Sequence, residues 1–257
     1  MMYIKKNEDK TLGEEIGSYK SLNLLVTAFF IGLSIYIVSQ IGALFLTNDT
    51  YGPILEGGNA SKLLITDLMF LFLSLGVIIL LMKGNLSQSG LNKPVGELRW
   101  GVIVGLGLLI GSVASIIIII TGAGGNPALQ DLDIREKVLL IWLLASISEE
   151  IFVRGLLQGY LNPLKNLKIS IGKQDISYPV AFSALFFGAI HLPLIFLGAD
   201  LITVSVVLLM TITLGFFAAS LRENYNSVLP SIGIHVATNI GGTMLGPIVY
   251  AILLGSI

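Results

Sequence analysis

"KVLLIWLLASISEEIFVRGLLQGY", Lys137 to Tyr160, is the stretch on which the reading of the whole chain turns. Its apolar flanks are those of a membrane-spanning helix, yet Glu149, Glu150 and Arg154 stand inside it. A charged side chain at the centre of such a helix costs about 2.5–3.5 kcal/mol on insertion scales. Charges at that depth therefore face one another, a cavity or a partner rather than lipid.

The surrounding sequence supports the membrane reading. Of 257 residues, 54% are hydrophobic and only 12% charged, against roughly a quarter charged in a soluble domain. Helical runs of about 20 apolar residues cross the hydrocarbon of a bilayer, and such runs stand near 21–47, 62–82, 98–121, 137–160, 179–198, 201–221, 227–241 and 243–256. The expected fold is all-α: a polytopic transmembrane helical bundle of about eight spans. It comprises an N-terminal segment, 1–20, and a single membrane domain, 21–257. The last two segments are short, and "GGTMLGP" between them suits either two spans or a re-entrant pair. Continuous rather than alternating apolar runs argue against strands. The charged first twenty residues do not follow a cleavable signal pattern, so the first apolar segment reads as a retained anchor.

Composition removes several function classes. There is no cysteine, which excludes disulfides, thiolate catalysis and cysteine-ligated metal. A net charge of -1 without any basic run gives no footing for nucleic acid. Lysine and arginine are instead sorted by loop. Eleven (Lys5, Lys6, Lys10, Lys20, Lys83, Lys93, Arg99, Lys165, Lys168, Lys173, Arg222) fall in one alternate set of connections, and three (Lys62, Arg135, Lys137) in the other. By the positive-inside rule the first set is cytoplasmic, and an even span count places both termini in the cytoplasm of a multi-pass cell-membrane protein.

Helical spacing separates the three charges of the opening stretch. At about 100° per residue, Glu150 and Arg154 lie about 40° apart and can pair, whereas Glu149 and Arg154 lie about 140° apart. Glu149 is left as a free carboxylate, the kind of group that serves as a general base or acid. The chain's two histidines also fall inside apolar segments: His191 in "FFGAIHLP" and His235 in "IGIHVATN". Phe187, four residues before His191, can lie on the same face and steady the imidazole, while Pro193 loosens the helix just beyond. His235 and Asn239 share a face by the same spacing. Three helices thus bring polar groups to membrane depth, and convergence compensates the desolvation each would bear alone. Glutamate with histidine around one water is a base for hydrolysis, and histidine with asparagine can donate to an oxyanion. Glu149, His191 and His235 are also a credible zinc donor set. The glycines of the third span, Gly101 with Gly105 and Gly107 with Gly111, are expected to serve close helix packing, and Asp67, near the outer end of the second span, is expected to be a water-exposed or serine-bonded carboxylate.

"EEIFVR", "FGAIH" and "HVATN", in this order on late spans, resemble the Glu-Glu-x-x-x-Arg, Phe-x-x-x-His and His-x-x-x-Asn motifs of the CPBP family of membrane peptidases. That family includes the type II CAAX prenyl endopeptidases and bacterial bacteriocin-processing and self-immunity proteins. The resemblance covers about residues 137–241. It implies an intramembrane endopeptidase acting on a hydrophobic peptide or membrane-anchored tail. Glu149 is then the water activator, aided by His191; His235 and Asn239 stabilise the oxyanion; Glu150, Arg154 and Phe187 support them. A metal-free, glutamate-dependent reaction is the favoured expectation, with no cofactor required and zinc the alternative. Two other classes compete. A non-enzymatic membrane scaffold or regulator of a partner protein has no need for so many converging polar side chains. A proton-coupled transporter would show matching halves, and the polar groups lie almost wholly in the C-terminal part.

Overall fold

From Glu150 to Gly159 every residue is buried, charged and apolar alike, so the stretch with the least membrane-like composition lies at the centre of the bundle. A computed structural model describes residues 2–47 and 58–253. Among them, seven helical runs form the protein. These are α1 (Met2–Leu46), α2 (Asn59–Leu81), α3 (Trp100–Thr121), α4 (134–160), α5 (Tyr178–Ala189, continued by a 3-10 run, Leu192–Leu197), α6 (Leu201–Tyr225) and α7 (Leu229–Leu253). Six of them are long and apolar enough to cross a membrane. The remaining one, α4, is long enough, but Glu149, Glu150 and Arg154 interrupt its apolar character.

The eight expected segments differ from this in two places. Segments 227–241 and 243–256 form one run, α7, because Gly241–Leu245 continues the helix as a π-helical turn instead of breaking it; residues 254–256 lie outside the described part. A two-stranded hairpin also occurs where no strand was expected. Lys168–Ile171 (β1) pairs antiparallel with Gln174–Ser177 (β2), across a turn in which Gly172 takes φ +63°. It lies in a connection between helices, where the backbone requirement of the membrane does not apply.

Cap chemistry starts the helices where the sequence changes character. The Asp133 side chain accepts from Glu136 N–H while the Glu136 carboxylate accepts from Asp133 N–H, a capping box that opens α4. Ser177 caps α5 ahead of Pro179, and Asp200 caps α6 by accepting from the N–H groups of Ile202 and Thr203.

The connections gather on two faces, as the charge sorting requires. On one, Val95 N–H donates to Tyr225 O at 2.9 Å, Asn92 Nδ2 to Asn226 O at 2.8 Å, Gln88 Nε2 to Gly159 O at 3.3 Å and Ser177 Oγ to Glu223 Oε2 at 2.6 Å, while Arg222 donates to Gln88 O. On the other, Asn59 Nδ2 donates to Asp131 Oδ2 at 3.2 Å and Gly124 N–H to Asp200 Oδ2 at 2.9 Å. The first face is the basic one. Near the Lys20 end of α1, Ala28 packs with Leu161 and Leu164 at this face. α7 starts there too, but it runs parallel to α3, with Gly233 against Trp100, Gly107 against Ile234 and Ala237, and Gly246 against Ser112 and Ser115. Leu253 therefore lies toward the opposite face from Tyr19. The merging of the last two segments puts the ends of the described chain on opposite sides, where an even count had put both termini together.

The third-span glycines divide by neighbourhood. A Cβ on Gly111 would meet the backbone of Thr238 and Gly242, whereas Gly101 and Gly105 have nothing within 4 Å. Only Gly107 and Gly111 therefore serve close packing. Gly111→Ala is expected to push α7 off α3 at a cost of about 1–3 kcal/mol, since backbone atoms cannot rotate away. The thermal midpoint of the purified protein should fall, while Gly105→Ala should leave it unchanged.

Candidate active site

α4 and α7 meet with matching spacing. Ser146 and Glu150 are four apart on α4, as His235 and Asn239 are on α7. Four residues advance about 6 Å and turn only about 40°, so each pair presents two polar groups on one face. The helices run antiparallel, and the pairs form two rungs. Asn239 Nδ2 donates to Ser146 Oγ at 3.1 Å, and His235 Nδ1 donates to Glu150 Oε1 at 2.9 Å. Asn239 Nδ2 also donates to Ile141 O at 2.9 Å; a carbonyl only accepts, which fixes the amide's orientation.

Glu150 Oε1 takes Arg154 NH1 at 2.9 Å, the pairing expected from the spacing, with both side chains at 0% exposure. The guanidinium carbon lies 4.4 Å from the centre of the Phe187 ring, a cation–π contact. The same ring meets His191 at 5.0 Å and His235 at 5.5 Å, both edge-to-face. Phe187, expected to steady one histidine, thus holds two and the arginine.

His191 stands just past the α-helical part of α5, where Pro193 begins the 3-10 run. Its Nδ1 donates to Phe187 O at 2.8 Å. In the neutral ring this leaves Nε2 with the lone pair. Glu149 stands beside the His235 rung without joining it. Its Oε2 lies 3.7 Å from His235 Nε2, beyond hydrogen-bond length, and its side chain is 16% exposed. Glu149, His191 and Asn239 are thus partly exposed, whereas Glu150, Arg154 and His235 are buried.

All the residues singled out from the sequence therefore fall around one centre, with two differences in how they are engaged. The histidine that approaches Glu149 is His235, which sits between the two glutamates. The amide hydrogens of Asn239, implied by the resemblance to meet an oxyanion, are both held within the protein. Among the described residues no group of three or more His, Asp or Glu stands in metal-holding geometry.

Three participants escaped sequence reasoning. Ser146 could have been found, since it stands four before Glu150 just as His235 stands four before Asn239. Ser148 carries no signal, because serine within a helix ordinarily bonds its own backbone. Asp67 was read as a water-exposed or serine-bonded carboxylate; it is serine-bonded, to Ser148 Oγ at 3.3 Å, but only 3% exposed. Two hollows lie elsewhere. One of about 480 Å³ is lined by Thr121, Gln130 and Asp200, and an apolar groove of about 540 Å³ lies between α1 and α2.

Fold and site together define a multi-pass helical membrane protein with a glutamate and histidine centre enclosed by its helices. Residues 135–241 match the family model described as Type II CAAX prenyl endopeptidase Rce1-like, and this match bears out the resemblance to the CPBP family. It takes in α4 to most of α7 and all three motifs, whereas α1, α2 and α3 lie outside it. No curated protein and no solved structure matches the chain.

Proposed function

We propose that the protein is a membrane-embedded endopeptidase that hydrolyses a peptide bond in a hydrophobic peptide or membrane-anchored tail. The observation that carries this reading is the division of labour between two adjacent glutamates. Glu150 is locked between Arg154 and His235, while Glu149 is partly exposed and, among the described residues, free of any hydrogen-bonded cation. In the reaction Glu149 takes a proton from water as the water oxygen attacks the carbonyl carbon, with the bare Nε2 of His191 orienting that water. His235, held at Nδ1 by Glu150, turns its Nε2 to the oxyanion. Collapse of the intermediate breaks the C–N bond, and Glu149 returns its proton to the leaving amine. Asn239 holds α7 to α4 through Ser146 and Ile141. The proposal is metal-free, since among the described residues no three His, Asp or Glu side chains stand in metal-holding geometry.

The basic face is cytoplasmic in this reading, with segment 1–20 on that side. Glu149 stands eleven residues along α4 from Tyr160, about 17 Å at helical rise, so a tail entering from the cytoplasmic leaflet reaches it within the membrane. In proteoliposomes, a peptide ending in a farnesylated CAAX sequence should lose its C-terminal residues, as read by mass spectrometry. The same peptide without its lipid should be cleaved far more slowly. Preference for an unlipidated hydrophobic peptide, as in bacteriocin processing, would move the substrate class and keep the reaction. No cleavage of either would sink the proposal.

A further inference from the structure

Asp67 is a buried carboxyl on α2, outside the family match, and the reaction above does not use it. One of its oxygens stands 3.3 Å from Ser148 Oγ, whose hydroxyl shares its donation with Ala145 O at 3.2 Å, and the other, Oδ2, is buried with no hydrogen-bond partner among the described residues. A carboxyl at this depth marks a functional position by default. Ser148 directly precedes Glu149, and Asp67 interacts electrostatically with Glu149 itself.

The backbone explains why such a tie is needed. Ser146–Glu150 is α-helical, but it lies between two π-helical stretches, Lys137–Ala145 and Ile151–Gln158. Their wider turns do not carry a fixed α register through the segment. Ser146 and Ser148 are two residues apart, about 200° around the axis. The segment is accordingly held from opposite sides, by Ser146 to Asn239 on α7 and by Ser148 to Asp67 on α2.

We infer that Asp67 is a positioning residue for Glu149: acting through Ser148, it fixes the rotation of Ser146–Glu150 and so the direction of the Glu149 carboxyl. The catalytic part of the inference rests on Glu149 being the base.

The test uses the reconstituted full chain with Asp67→Ala, Asp67→Asn, Ser148→Ala and the double variant Asp67→Ala/Ser148→Ala. Asparagine keeps a carbonyl oxygen for Ser148. Misplacing a catalytic group by about 1 Å can cost roughly 10²-fold, so kcat should fall by about that factor in Asp67→Ala and Ser148→Ala, with KM little changed. Asp67→Asn should recover most of the rate. The double variant should be no worse than Asp67→Ala alone, because one interaction is removed twice. Infrared spectroscopy supplies a readout that needs no turnover. The Glu149 carboxyl band, identified by its loss in Glu149→Gln, should shift in Asp67→Ala and Ser148→Ala and stay in place in Asp67→Asn. Shifted bands in a protein without peptidase activity would retire the peptidase reading and uphold the positioning role. An unshifted band in both Asp67→Ala and Ser148→Ala, an Asp67→Asn as impaired as Asp67→Ala, or multiplying effects in the double variant would overturn it.

Discussion

Glu149→Gln is expected to abolish cleavage while leaving the protein folded. The substitution keeps the size of the side chain and removes only the capacity to take a proton. A positioned general base contributes roughly 10²–10⁴-fold, and here the same group also returns the proton to the leaving amine, so the loss should reach the upper end of that range. Stability should hardly move. Among the described residues Glu149 has no hydrogen-bonded cation: His235 Nε2 stands at 3.7 Å, and the side chain is partly exposed. A change at such a site is ordinarily within about 0.5 kcal/mol. The checks are the cleavage rate in proteoliposomes and the thermal midpoint in detergent, measured on the same preparation. Turnover retained at the wild-type rate would remove Glu149 from the reaction and with it the proposed mechanism.

The division between Glu149 and Glu150 was legible before any coordinates, because helical spacing alone decides which carboxylate reaches Arg154. The site as a whole was legible for a related reason: ionisable groups are so costly in apolar helices that His191, His235 and Asn239 could hardly stand apart from Glu149 and Glu150. What the sequence hid were consequences of partners. Nothing in "HVATN" says that the amide of Asn239 is held by Ser146 and Ile141, since those acceptors belong to another helix whose facing side is set by packing. Asp67 was passed over because depth was judged from its distance to a helix end, whereas its burial comes from the central position of α4 against α2. The span count failed at "GGTMLGP" because glycines that often end a helix here let α7 lie against α3, with Gly241 on the backbone of Leu108. Composition marks a break there, and tertiary contact overrides it. The hairpin β1–β2 was missed because four-residue strands in a polar connection have no membrane-scale apolar signal to betray them.

Glu150→Ala is expected to fail in folding as well as in activity, and a second substitution should separate the two. Glu150 Oε1 is the shared acceptor of Arg154 and His235. Arg154 is fully buried, and among the described residues its Nε and second terminal nitrogen have no hydrogen-bond partner. Without Glu150 the guanidinium keeps the Phe187 ring but no hydrogen-bonded carboxylate among the described residues. Removing one partner of a buried ion pair typically costs about 3–5 kcal/mol, because the other charge is left uncompensated. The yield of monodisperse protein and its thermal midpoint should both drop sharply. Replacing the two together by apolar residues of similar volume, Glu150→Leu with Arg154→Met, removes both charges. By the same reasoning this should restore the midpoint toward wild type, since well-packed hydrophobic substitutes for buried pairs are often neutral or stabilising. Activity should not return, because His235 then has no carboxylate to hold its Nδ1 and aim its Nε2 at the reacting centre. A double variant that folds and cleaves would show that the pair serves stability alone. One that folds and does not cleave shows that this costly pair at the centre of the membrane is kept for the orientation of His235.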